Sequence, residues 1–198
     1  MEAPKLTGKH ILLLLIYSPG NTGRENEAVV GRTRITKMMF LFDKEIRKAF
    51  LKNSDIELIS FPNFEAWHYG PFSKQVYDDI EFFLNNGYLS SEPLLNTEKS
   101  EFELNEYENW MDEYLFDEER ELLSGIRNEE SFELTSKGER FVKDRIYGRL
   151  TANQRKIVAQ FKRSINNASL EAILRYVYLK YPEYTEKSKI RGRILGRP

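Results

Sequence analysis

Between residues 64 and 89 the chain passes from an aromatic-rich approach (Phe64, Trp67, Tyr69) through a Gly70-Pro71 break. Apolar residues then follow at Val76, Ile80, Phe83 and Leu84. That spacing is one face of a helix behind a tight turn. Ser73 stands where it can cap the helix, and Gly87, after Asn85-Asn86, supplies a residue able to turn left-handed and end it. Tyr88-Leu89 then reads as the start of a strand. A turn, a short amphipathic helix and a strand, in that order, predict the third helix of a winged-helix-like domain entering its wing.

The rest of the chain is arranged around that unit. A continuous apolar run predicts a helix over 7–17 that is buried on most sides, and Pro19-Gly20-Asn21-Thr22-Gly23 predicts a loop. Ile35, Met38, Met39, Phe42 and Ile46 recur at helical spacing over 33–51, and residues 56–61 alternate as a strand would. Ser131-Phe132-Glu133-Leu134 predicts the returning strand of the wing, followed by a helix that opens at Thr135-Ser136-Lys137-Gly138-Glu139. Thr151 caps a further helix to about residue 165, and Asn167 or Ser169 caps the last one, with Leu170, Ile173, Leu174, Val177 and Tyr181 on one face. The expected class is mainly α with a small β wing (α+β). It comprises one winged-helix-like domain over 1–184, C-terminal helices included, and a basic flexible tail over 185–198.

Charge is strongly segregated although the net charge is only −1. Residues 51–100 carry a net −5 and 101–150 a net −8, whereas 1–50 carry +4 and 151–198 carry +8. Different faces are therefore expected to meet different partners. The acidic maximum falls at 98–121, where eleven carboxylates stand against Lys99 and Arg120. Glu101-Phe102-Glu103-Leu104 alternates like a strand there, and Trp110, Tyr114, Leu115 and Leu122 fit one side of a helix. An acidic helical insertion at about 98–130 within the wing is the expectation.

Several function classes lack their residues. With no cysteine and only His10 and His68, sulfur-ligated zinc, thiol chemistry and a multi-histidine metal site have no basis. Gly31-Arg32-Thr33 lacks both the partner glycine and the lysine of a phosphate-binding loop. Asp78, Asp79 and Glu81 point in different helical directions and read as solvated helix charges, and His68 reads as a partly buried, hydrogen-bonded side chain. No run approaches the twenty apolar residues of a membrane helix. The expectation is a cytoplasmic, non-enzymatic protein with no catalytic residue, cofactor or metal.

Arg32-Thr33-Arg34-Ile35-Thr36-Lys37-Met38-Met39-Phe40-Leu41 and Ala66-Trp67-His68-Tyr69-Gly70-Pro71-Phe72-Ser73 resemble the YwgA-like proteins and the related Panacea (SocA-like) antitoxin domain. Leu134-Thr135-Ser136-Lys137-Gly138 and the run from Leu174 through Tyr184 are similar to the YwgA-like proteins rather than to Panacea. The resemblance implies a helical, winged-helix-like domain without established catalysis, found around mobile elements, antitoxins and defence systems. It carries over no catalytic residue, and the acidic insertion departs from the more compact Panacea pattern.

Two modes of action follow. A protein-binding regulator or adaptor would use Trp67, Tyr69, Gly70, Pro71 and Phe72 together with Trp110 and Tyr114 of the insertion. A DNA-binding regulator, possible as a homodimer, would use Arg32, Arg34, Lys37, Lys74, Lys187, Lys189, Arg191 and Arg193. The central helix itself sets Lys74 against Asp78, Asp79 and Glu81, which repels phosphate. A protein partner is favoured for that reason.

Overall fold

The structure, a computed structural model, describes residues 4–94 and 130–196. The expected insertion, with Trp110 and Tyr114, lies outside the described residues apart from Glu130, as does Arg197.

Thr7 closes strand β1 (Lys5–Thr7) and opens helix α1 (Gly8–Tyr17), where its backbone N–H donates to His10 Nδ1 at 3.0 Å. Residues 11–17 are all buried, as a helix that is apolar on every side requires. Each such side chain contributes roughly 1.5–3 kcal/mol by leaving water. Strand β2 (Val29–Val30) leads into α2 (Arg32–Leu41), which runs through a π turn (Phe42–Ile46) into α3 (Arg47–Leu51). The single helix expected over 33–51 is therefore a continuous path with one wide turn in it. Such a turn holds an extra residue and rotates the faces that follow. Upstream, Ile35, Met38, Met39 and Phe42 are buried, whereas Phe50 is the buried residue of α3.

Strand β3 (Glu57–Ser60) pairs in parallel with β1. What the sequence presents as an aromatic approach and a break is a hairpin, β4 (Glu65–Trp67) with β5 (Gly70–Phe72), in which Trp67 faces Gly70. Gly70 has φ +87°, and a Cβ there would stand 3.0 Å from the Tyr178 ring. Both conditions favour glycine. Helix α4 (Lys74–Asn85) follows with Ser73 at its cap position, although the Ser73 side chain makes no capping bond, and Gly87 at φ +65° ends it.

Strand β6 (Leu89–Pro93) pairs antiparallel with β7 (Glu130–Leu134), Leu89 facing Leu134, and β2 lies on the other edge of β7. Alternation along β7 turns Phe132 and Leu134 inward. Helices α5 (Ser136–Arg145), α6 (Ala152–Asn167), α7 (Leu170–Lys180) and α8 (Arg191–Leu195) complete the described chain. Ser169 Oγ accepts the Ala172 N–H at 3.1 Å, so Ser169 and not Asn167 caps α7. Helix α1 sits at the centre, packed by α2, α5, α6 and β7.

The segment after 184, expected as a flexible tail, is folded through residue 196. Ile194 is buried with Tyr69, Leu174 and Tyr178, Lys189 N–H donates to the His68 carbonyl at 3.0 Å, and Ser188 Oγ lies 2.7 Å from Tyr178 Oη. The apolar residues Ile190, Ile194 and Leu195 anchor a stretch whose charge alone suggested disorder. The architecture is mostly helical with a small sheet, as the α+β expectation has it. No helix among the described residues is long and apolar enough to cross a membrane.

Candidate functional site

Most residues picked out as binding residues face inward. Tyr69 is buried against α7 and α8, Phe72 is fully buried, and Gly70 and Pro71 are buried with them. Trp67 is half-buried, its ring stacked on His68 with centroids 4.8 Å apart. Of the expected protein-binding surface at 67–72, Tyr69, Gly70, Pro71 and Phe72 lie in the interior, and Trp67 stays half-buried at its edge. Nothing local to the hairpin reveals that the C-terminal helices cover it.

The basic face of α2 is corrected in the same way. Arg32 is buried, with Nε 2.8 Å from Glu130 Oε2 and Nη1 bonded to Glu81 Oε1. Lys37 is buried and donates to the Pro71 carbonyl at 3.2 Å. Arg34 donates to the carbonyls of Ile165 and Ala168, each at 2.7 Å, and to that of Val30 at 3.1 Å. These three cations hold the fold and do not present a phosphate-binding face. Lys74 is exposed but paired with Asp78 at 2.7 Å. Lys187, Lys189, Arg191 and Arg193 are exposed at the C-terminal end.

Asp79 and Glu81, expected to be solvated, also have inward roles. Burial raises the Asp79 pKa while Lys9, at 3.4 Å, works the other way. Of that trio only Asp78 is exposed. Among the described residues no group of three His, Asp or Glu side chains could hold a metal ion.

The site that sequence reasoning missed is an apolar groove of about 630 Å³ between the π turn with α3 on one side and α6 and α7 on the other. Ile46 and Ala49 form one wall, Ile157, Phe161 and Ile165 the floor, and Ala172, Ile173 and Tyr176 the other wall. Past the π turn, Ala49 is exposed here and Ile46 is half-buried, packed against the core as well as lining the groove. Tyr176 is 42% exposed and Leu179, one turn further along α7, is 63% exposed. Both lie off the apolar stripe formed by Leu170, Ile173, Leu174 and Val177. A second apolar face on one helix is the sequence signal that could have revealed the groove.

Glu45 fixes the edge of this groove. Its Oε1 accepts hydrogen bonds from Tyr176 Oη at 2.8 Å and from Lys180 Nζ and Tyr181 Oη, both at 2.9 Å. Burial acts to raise the Glu45 pKa, but the bonds from Lys180, Tyr176 and Tyr181 outweigh it and hold the carboxyl below its usual range. The cluster joins the π turn to α7 and fixes Tyr176 at the mouth. Lys48 on α3, Lys52 just past its end and Lys156 on α6 are exposed and lie three residues beyond Glu45, three beyond Ala49 and four before Gln160 in the sequence. Among the described residues none of these three makes an ion pair.

Compared with known proteins, the chain matches no family model, no curated protein and no solved structure.

Proposed function

We propose that this chain is a cytoplasmic, non-enzymatic regulator or adaptor, and that its groove docks an acidic amphipathic helix from a partner protein. The observation that carries the reading is the apolar groove between α3, α6 and α7. An amphipathic helix lays residues at i, i+3, i+4 and i+7 into such a groove. Lys48, Lys52 and Lys156, exposed and near the groove residues in sequence, favour carboxylates on that helix, because Glu45, the acid that lines the groove, is already paired with Lys180. The run of α4 into the antiparallel β6–β7 pair supports a winged-helix-like scaffold for the domain. A mobile-element, toxin–antitoxin or defence context rests on the YwgA-like and Panacea resemblance alone.

The DNA-binding alternative retains Lys187, Lys189, Arg191 and Arg193, loses Arg32 and Lys37 to the interior, and finds Arg34 bonded to backbone carbonyls. One experiment separates the two. A library of helical peptides displayed on phage is selected against the full chain and against Ala49→Arg and Ala172→Arg, which fill the groove from exposed positions. Enrichment of acidic amphipathic sequences that lose roughly tenfold or more in affinity to both variants, with unchanged melting, is the expected result. Selected peptides indifferent to both variants would overturn the groove assignment. Salt-sensitive binding to a DNA duplex that Arg191→Glu/Arg193→Glu abolishes would favour the alternative.

A further inference from the structure

A second pocket, of about 360 Å³, lies on another part of the surface and has the opposite chemistry. Lys5 reaches it from β1, His10 from α1, Arg145 from the last position of α5 and Arg149 from the 3-10 turn that follows. Leu6, Pro4 and Phe141 supply its apolar surface. Among the described residues no carboxylate lines it.

We propose that this pocket is a phosphate-binding site that takes the phosphate group of a nucleotide. The buried and half-buried arginines Arg32 and Arg34 are bonded to carboxylates or backbone carbonyls. The guanidinium groups of Arg145 and Arg149 have no hydrogen bond or ion pair among the described residues, and both are exposed toward one cavity. Like charges that line one cavity repel each other. A bound phosphate turns that repulsion into attraction, and a guanidinium fork matches two phosphate oxygens at once.

His10 adds a donor without adding a fixed charge. Its Nδ1 accepts the Thr7 N–H, which places the proton of the neutral ring on Nε2. Burial lowers its pKa, so the neutral form prevails at neutral pH. The ring stacks on Phe141, with centroids 6.1 Å apart and planes 13° from parallel. That pair gives the pocket a flat wall suited to a sugar or base attached to the phosphate. The volume is at the small end of ligand pockets, the scale of a mononucleotide and not of a large cofactor.

The site is independent of the groove reading, and its test is independent too. The full chain is titrated with inorganic phosphate, with AMP, and with a short single-stranded DNA carrying either a 5′-phosphate or a 5′-hydroxyl. Calorimetry and the proton resonances of His10, one of only two histidines, are followed. Binding of phosphate and AMP that moves His10 but not His68 is expected, and Arg145→Gln/Arg149→Gln should weaken it roughly tenfold or more. Lys143→Gln, an exposed cation on the same helix, serves as the control for general charge. Preference for AMP places the site with free nucleotides. Preference for the 5′-phosphorylated strand over its hydroxyl counterpart places it with nucleic-acid ends. Absence of binding by every probe, no movement of His10, or equal weakening by Lys143→Gln would overturn the assignment.

Discussion

Arg32 Nε donates to Glu130 Oε2 at 2.8 Å, joining the first residue of α2 to the first residue of β7 across 98 positions of sequence. Arg32 also pairs with Glu81 on α4, so one guanidinium ties two helices to the sheet. Removing one partner from a buried pair leaves an uncompensated charge, at a cost of about 3–5 kcal/mol. Arg32→Gln is therefore expected to lower urea stability on that order, with Glu130→Gln smaller because it leaves Arg32 its bond to Glu81. The double variant should cost less than the sum of the two. Strict additivity in the cycle, with small single effects, would show that the pair is solvated in solution.

Gly138 is the third residue of α5, where alanine is ordinarily the better helix former by about 1 kcal/mol. Here a Cβ would stand 2.1 Å from the Tyr88 carbonyl oxygen. That oxygen accepts the Thr135 N–H at 3.1 Å and cannot withdraw without opening the β6–β7 end. Gly138→Ala is expected to destabilise by about 1–3 kcal/mol, reversing the sign that helix propensity gives. Thermal unfolding of the variant decides it, and a raised melting temperature would show that β6 gives way freely.

Periodicity and turn residues made the helices legible. The runs at 11–16, at 76–84 and at 170–177 each lie on the helix expected for them, Gly87 follows the end of α4, and Thr151 caps α6 as read. The site was not legible, because it depends on contacts between distant segments. Arg32 looks like a surface cation until Glu81 and Glu130 are placed beside it. Tyr69-Gly70-Pro71 reads equally as a turn that sets the entry angle of α4 and as a binding surface until Leu174, Tyr178 and Ile194 are placed against Tyr69. The groove brings Ile46 and Ala49, beside the π turn at 42–46, against side chains of α6 and α7 far along the sequence, a pairing that no local residue pattern encodes. Lys5 is far in sequence from Arg145 and Arg149 and joins them only in the fold.

Lys162 gives the fold a pH dependence of definite sign. It is fully buried, with Nζ bonded to the carbonyls of Ile16 and Glu27. Burial pulls its pKa down to about 7 from 10.5, against the opposing charge of Glu27. Between those two values the unfolded chain holds a proton that the native chain has released, so stability rises with pH across that window. A single such group contributes at most about 1.4 kcal/mol per pH unit. Urea unfolding at several pH values should show this slope in the parent chain and lose it in Lys162→Met. The slope is the readout, since the absolute stability of the variant also reflects the two carbonyls left without that donor. An unchanged slope would assign the titration to another group.

Glu45 is where stability and the proposed docking meet. Tyr181 is pushed up to about 12 by burial first and then by its hydrogen bond to Glu45. In Glu45→Gln the burial remains and the charge does not, so the Tyr181 titration should fall part of the way toward 10, followed as tyrosinate absorbance. Loss of the charged acceptor should cost about 1–3 kcal/mol. In the parent chain the folded Glu45 pKa lies below its unfolded value, so its contribution is complete above about pH 4.5 and is lost as pH falls through the lower folded value. Tyr176 keeps its bond from Lys180 but loses its charged acceptor at the groove mouth, and peptide affinity is expected to weaken through a faster off-rate while Ala172→Arg remains the stronger block. If Tyr181 moves as expected and peptide binding does not change, the cluster serves the fold and the groove recognises its partner without Tyr176.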